Sequence, residues 1–353
     1  MKTEIQLQVS RLIGLILIPL LLIAAGCGVS DSAETDDEDT LTPKEVVEMY
    51  INAFNNQNPA ELQATLTDNF HSYGLLGAEE APPVGERLIV GAENYTAFVG
   101  ALWAAFPDVE ITVENVVAEE NLVAVRWTSY GTHNGEPLFP GVQPEGQKTQ
   151  LEAMALFRIE NDKIAEKRFQ NDDFIWMIQL GAIPLNQTAL KISAYTPNVG
   201  LKSNSIVEDN KDMIQVYIDA FNNQNPAELQ ATLTDNFHSF GLLGAEEAPP
   251  VGEGVIIGDE IYTAVIGAFW AAFPDLKITV EDVIAEGDLV AVRWTSYGTH
   301  NGEPLFPGVE PEGQETQIEA MALFRVENGK IAEKRFRNDD LALMIQLGAI
   351  HTF

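Results

Sequence analysis

Asp172 and Asp339 each close a segment of alternating residue type. In the first of these, Lys163–Asp172, the residues Glu166, Arg168, Gln170 and Asp172 alternate with Ala165, Lys167 and Phe169. In an extended strand that alternation puts the first four side chains on one face and the other three on the opposite face. A carboxylate held in a semi-apolar cavity has its pKa raised toward the working range, as a base that takes a proton next to a carbonyl requires. The same residues allow another reading, in which Asp172 and Asp173 are an N-cap doublet for the short apolar helix that follows. His133 and His300 end a different strand, where an imidazole could reach a cavity mouth to orient a substrate or relay a proton, or could merely satisfy a turn. Arg126 and Arg293 lie in the middle of that strand. An inward arginine there needs a carboxylate such as Glu152 or Glu319 from the neighbouring strand, which reads as a structural ion pair ahead of oxyanion stabilisation. His71, His133 and Asp172 together would suit a metal by residue type, but they carry no local ligand spacing, so no metal is expected.

Every one of these candidates occurs twice. Residues 44–183 recur as 211–350 at a constant offset of 167, without insertion or deletion, and 110 of the 140 aligned positions are identical. A period of that length fits a complete small domain and is too long for a solenoid unit. Two domains are therefore expected, 43–183 and 211–350, joined by a linker over 184–210 that carries two prolines and several Asn and Ser.

The elements that must position the candidates follow from periodicity. Val46, Val47, Tyr50, Ile51 and Phe54 mark a first helix over 44–56. Pro59 opens a short second helix, with Asn58 placed to cap it. The stretch 74–91, rich in Gly, Pro and Glu, reads as a long loop, and 92–106 as a third helix stopped by Pro107. Beyond Pro107 the period becomes 2, predicting four tightly linked antiparallel strands over 109–118, 122–132, 149–160 and 163–171, then a helical turn over 174–180. Helices first and a meander afterwards give an α+β fold, two tandem domains whose helices pack on a curved, mostly antiparallel sheet that can leave a cavity between the layers.

The ends and the charge narrow the setting. Residues 1–27 read as an export signal: Lys2 and Arg11 precede an apolar run from Leu12 to Ala25, and Leu-Ile-Ala-Ala-Gly-Cys resembles a lipobox ending at Cys27. A lipid on that thiol would anchor the chain without spanning, since the run is shorter than the roughly 20 residues a bilayer requires. The expected location is the cell envelope, and the outer membrane in a Gram-negative host, because Gly28 rather than Asp follows the cysteine. Cys27 is the only cysteine, which excludes an internal disulfide and a thiol nucleophile in either repeat. Residues 28–42 form an acidic tether. With 53 acidic against 20 basic residues the net charge is −33, so no basic patch can be assembled and nucleic acid is not expected as a partner.

Taken together, the helix pair, Ala-Phe-Pro-Asp at 105–108, Val-Ala-Val-Arg-Trp-Thr at 123–128, Gly-Thr-His-Asn-Gly at 131–135 and Gln-Leu-Gly at 179–181 resemble the SnoaL-like polyketide or ester cyclase family. The resemblance implies a nuclear-transport-factor-2-like cone fold, a small hydrophobic carbonyl or ester compound as ligand, and a pairing of sheets that could make a pseudo-dimer within the chain or a homo-oligomer. It also implies an intramolecular aldol ring closure that needs no cofactor or metal. In such proteins an Asp near the end of the last strand is the general acid/base, and counting back from Gln179-Leu180-Gly181 that position falls on Asp172, and on Asp339 in the second repeat. His133 and His300 match the Gly-Thr-His motif. Two departures stand out. Arg168 and Arg335 replace a usual Trp, and an Arg close to Asp172 would lower its pKa. Tyr73 and Phe240 replace a usual His after the second helix, with His71 and His238 two positions earlier and expected to face away. Tyr73 against Phe240 is a difference between the copies at a candidate pocket position, so the two sites need not be equivalent.

Overall fold

The computed structural model describes residues 40–75, 87–183, 207–241, 255–306 and 308–350. The expected export signal with Cys27, nearly all of the expected acidic tether and most of the expected linker lie outside these residues. Among the described residues, no helix is long and apolar enough to cross a membrane.

Helix α1 (Pro43–Asn55) begins with a capping box: the Glu45 amide donates to the Thr42 hydroxyl at 3.3 Å while the Thr42 amide donates to the Glu45 carboxylate at 2.7 Å. Its buried face carries Val46, Val47, Tyr50, Ile51 and Phe54. Asn58 caps α2 (Pro59–Ala64) as expected. Strands β1 (Leu66–Tyr73) and β2 (Leu88–Val90) follow, then α3 (Ala92–Ala105), the meander β3 (Glu110–Glu119), β4 (Leu122–His133), β5 (Gln147–Glu160) and β6 (Lys163–Asn171), and α4 (Asp173–Gln179). The sheet runs β2-β1-β6-β5-β4-β3, with β1 parallel to β6 and all other neighbours antiparallel. The second repeat gives the same order with α5 (Val207–Asn222), α6 (Pro226–Ala231), β7 (Leu233–Phe240), β8 (Val255–Ile257), α7 (Asp259–Ala272), β9 (Lys277–Glu286), β10 (Leu289–His300), β11 (Gln314–Glu327), β12 (Lys330–Asn338) and α8 (Asp340–Gln346). Each is an α+β domain of helices on a six-stranded mixed sheet. The expectation of four strands per repeat missed β1 and β2. In β1 the inward Leu66 and Phe70 are separated by exposed Asp68 and Asn69, and the register slips between Leu66 and His71, so neither a period of 2 nor one of 3.6 shows.

The motifs that carry the family resemblance act as clamps. Asp108 accepts hydrogen bonds from the Thr132 amide and hydroxyl at 2.6 and 2.7 Å, tying the end of α3 to the end of β4. Gly135 and Glu136 donate their amides to the Ala105 and Ala104 carbonyls, satisfying the C-terminal turn of α3. A Cβ on Gly135 would sit 1.9 Å from the Ala104 oxygen, so only glycine allows that approach. Gln179 exchanges two 3.0 Å bonds with the Gln150 backbone and fastens α4 to β5.

The described residues from 41 to 350 belong to one compact unit, and the outer faces of the two sheets meet within it. Met154 and Leu156 of one sheet pack with Met321 and Leu323 of the other. The rim contacts are reciprocal. Glu286 accepts from Lys44 at 2.6 Å and from the Ala118 amide at 3.0 Å, and Glu119 accepts from Lys211 and from the Ala285 amide at the equivalent places.

Candidate functional site

Between the helices and the inner face of each sheet lies a cavity, of about 780 Å³ in the first repeat and about 760 Å³ in the second, part of it open to solvent. The walls are aromatic and aliphatic, with Phe54, Phe106, Trp127, Phe169 and Trp176 among them in the first repeat. The polar groups are Lys167, Asn171 and Asp173 on β6 and its exit, Tyr50 and Tyr95 from α1 and α3, and Ser129, Tyr130 and Thr149 on β4 and β5.

Which face of β6 looks inward is decided by a bulge. Arg158 pairs with Glu166 and the next residue, Ile159, with Ile164, which leaves Ala165 unopposed and resets the alternation. Ile164, Lys167, Phe169 and Asn171 then face the helices, while Glu166, Arg168 and Gln170 face the other sheet. This corrects the expectation that the Asp172 face lines the cavity. Asp172 lies beyond the strand, where its carboxylate accepts from the Ile175 amide at 3.1 Å and caps α4. Asp339 caps α8 in the same way. The carboxyls that line the cavities are their neighbours, Asp173 and Asp340.

Lys167 is 4 % exposed, and its Nζ is 3.1 Å from the Tyr50 hydroxyl and 3.0 Å from that of Tyr95. The two hydroxyls are hydrogen-bonded to each other. Burial raises both phenols above their usual range, so they remain protonated donors. Lys167 is drawn down to about 7 by burial. The Phe169 ring 4.5 Å from Nζ favours the ammonium, but loss of water outweighs it. Asp173 is pushed up to about 7, chiefly by burial, with Arg87 opposing the rise and Asp339 adding to it. The Asn171 amide donates to Asp173 at 3.1 Å, and Arg87 is ion-paired with it while also reaching Asp339 at 3.3 Å. In the second repeat Lys334 lies 3.2 and 3.1 Å from the Tyr217 and Tyr262 hydroxyls. Asp340 rises to about 8, again mainly by burial, with the charge of Asp172 next.

The remaining expected residues lie elsewhere. His133 and His300 are fully buried and stacked on Phe106 and Phe273, at 4.9 and 5.0 Å, and neither lines a cavity. Among the described residues no group hydrogen-bonds their ring nitrogens. Arg126 and Arg293 face the other repeat, across a separate space of about 400 Å³ between the sheets. Arg126 is 3.2 Å from Glu114 and 3.5 Å from Glu152, whereas Arg293 pairs with Glu281 and, at 2.7 Å, with Asp282 in place of the expected Glu319. Glu319 instead acts on Arg168. Arg168 and Arg335 turn to Glu166 and Glu333, each at 2.8 Å, and lie over the Tyr73 and Phe240 rings, so Arg168 does not lower the pKa of Asp172. Burial raises that pKa, with Arg337 the main opposing charge. Tyr73 and Phe240 are therefore on the outer face and not in the cavity. His71 does not face away from Tyr73: residues two apart on a strand share a face, and the rings stack at 6.3 Å.

The profile of the SnoaL-like polyketide cyclase family matches residues 44–180 and again 211–347. The chain belongs to that family, twice over. A solved structure from Jannaschia sp. CCS1, described as a proposed SnoaL-like polyketide cyclase, is 26% identical over 43% of this chain and all of its own, with a TM-score of 0.36. IdmH of Streptomyces antibioticus, a proposed polyketide cyclase, is 30% identical over 39% of this chain and 98% of its own, with a TM-score of 0.35. Comparison with curated proteins finds no match.

The two SnoaL-like cavities keep the lysine, asparagine and aspartate of the last strand and its exit in differently shaped walls: Trp176 becomes Leu343 and Leu102 becomes Phe269. The lysines, which helix and strand periodicity gave no reason to single out, also give a test of this geometry. With a folded pKa of about 7 against 10.5 when solvated, the unfolded chain binds more protons between those values, so wild-type stability rises with pH across that window. A Lys167→Met/Lys334→Met variant lacks the rise. Chemical denaturation at pH 7 and pH 10 should show wild type gaining on the variant, by at most about 5 kcal/mol per lysine; equal differences at both pH values would place the amines in water.

Proposed function

We propose that each repeat takes up a small hydrophobic carbonyl or ester compound and that Asp173 and Asp340 move a proton on it for cyclisation, isomerisation or hydrolysis, without a cofactor. The observation that carries this reading is a single buried carboxyl, its pKa drawn to about 7 or 8, set in the wall of an aromatic cavity. A base in that range is half ionised near neutrality, where proton transfer from carbon is most effective. Family membership supports the cyclase-like class. We further propose that the mature chain starts at Cys27, lipidated and held at the cell envelope, which the Leu-Ile-Ala-Ala-Gly-Cys sequence supports. The reciprocal rim contacts of the two sheets support a pseudo-dimer made within one chain.

A second reading, a carrier that holds its ligand unchanged, is favoured by one feature: Arg87 pairs with Asp173 and competes with proton transfer there. Native mass spectrometry of the protein isolated from the membranes of its own host separates the two. A co-purifying carbonyl compound that differs chemically between wild type and the Asp173→Asn/Asp340→Asn variant supports turnover, and the same compound in both supports carriage. A Cys27→Ser chain that still fractionates with membranes would remove the anchor from the proposal.

A further inference from the structure

We propose that Lys167 and Lys334 are amine nucleophiles that condense with a ketone or aldehyde held in each cavity to form an imine, a step that rests on the carbonyl-ligand reading above and narrows it by setting esters aside. Lys167 lines the cavity, with its amine set among Tyr50, Tyr95 and Phe169. Its polar neighbours are the two phenol oxygens, and burial alone accounts for its altered basicity, with no carboxylate acting on it. The phenols bond to each other, which leaves one hydroxyl hydrogen for the neutral amine to accept and so holds the amine in place. A methionine would fill the same stem-shaped space without the cost of a desolvated amine. A lysine in an apolar pocket with a free-amine fraction at neutral pH is what carbonyl condensation needs.

The step balances without an oxidant or reductant. The amine lone pair attacks the carbonyl carbon, the carbonyl oxygen takes one amine hydrogen to give the carbinolamine, and it then leaves with the second as water while the carbon–nitrogen double bond closes. The Tyr50 and Tyr95 hydroxyls are placed to hydrogen-bond the oxygen as charge builds on it, as Tyr217 and Tyr262 are for Lys334. Once formed, the imine withdraws electrons from the adjacent carbon, whose proton becomes more acidic. Asp173, on the same wall, is the base within that cavity, and Asp340 in the second.

The probe is 4-phenylbutan-2-one with sodium cyanoborohydride, which reduces an imine to a stable secondary amine, and calorimetry of the same protein without reductant counts bound probe. The expected result is two bound probes and two reduced adducts per chain, mapped by peptide mass to Lys167 and Lys334 and formed at least about tenfold faster than at any other lysine. A Lys167→Met variant should keep only the Lys334 adduct, which reports at once that its second repeat is intact. Two probes bound with no adduct on these lysines overturns the nucleophile and leaves the ligand class standing. No binding overturns both. Adducts spread evenly over surface lysines, with none enriched in the cavities, also overturn the nucleophile.

Discussion

Replacing Asp173 and Asp340 by Asn is expected to lower turnover in both cavities by roughly 10²–10⁴-fold, whereas the same change at Asp172 and Asp339 is expected to cost about 1 kcal/mol of stability per cap with little loss of rate. The members of the two pairs are neighbours in the chain, yet only Asp173 and Asp340 line the cavities. Asp172 and Asp339 spend a carboxylate oxygen on a helix amide, and burial raising the Asp172 pKa does not bring it into a cavity. Asp173 and Asp340 are in the cavities, each held by an amide, from Asn171 at 3.1 Å and Asn338 at 2.9 Å. A base must be ionised to act, so turnover should climb with pH, through about 7 in the first repeat and about 8 in the second. The single variants resolve the two limbs: Asp340→Asn leaves the lower one, Asp173→Asn the upper. Asn keeps the size of Asp and most of its hydrogen bonds, and Arg87 retains Asp339 as a partner, so the fold should survive. Steady-state kcat against pH, with thermal melts of all four variants, is the measurement. Equal rate losses at Asp172 and Asp173 would return the acid/base role to the cap residue.

The layering of the fold was readable because helix stripes and meander strands are local patterns. Tyr50 and Tyr95 stood on those stripes and looked like core, since a periodicity cannot say that two buried hydroxyls 45 residues apart meet. Lys167 stands in the sequence on the opposite face of the Asp172 strand. The bulge at Ala165 and the ending of β6 at Asn171 decide which face looks inward, and a slip of one residue exchanges all of them. The Asp108–Thr132 and Gly135–Ala105 contacts explain why the family motifs were nonetheless a good guide to the architecture: they hold α3 against β4 whatever the cavity contains. Chemistry placed by the strand face, and not by those motifs, was hidden behind them.

Duplication alone would leave the interface symmetric, and two arginines break that symmetry. Arg87 corresponds to Gly254 and Arg337 to Gln170, and each reaches across to the other repeat, Arg87 to Asp339 and Arg337 to Glu152. The Arg337–Glu152 pair is nearly dry, with side chains 6 % and 12 % exposed, unlike Lys44–Glu286 at 43 % and 36 %. Removing one partner of a dry pair strands the other charge, so Glu152→Ala, which also takes a carboxylate from buried Arg126, should cost about 3–5 kcal/mol. Cutting the exposed Lys44–Glu286 pair should cost under about 1 kcal/mol and lose even that in high salt. Restoring neutrality is the decisive control. Glu152→Gln/Arg337→Gln places at 337 the residue the first repeat already carries there, removes both charges together and should recover most of the loss in denaturant melts. A double variant as unstable as Glu152→Ala would mean that the side chains hold the sheets together by packing, with their charges incidental.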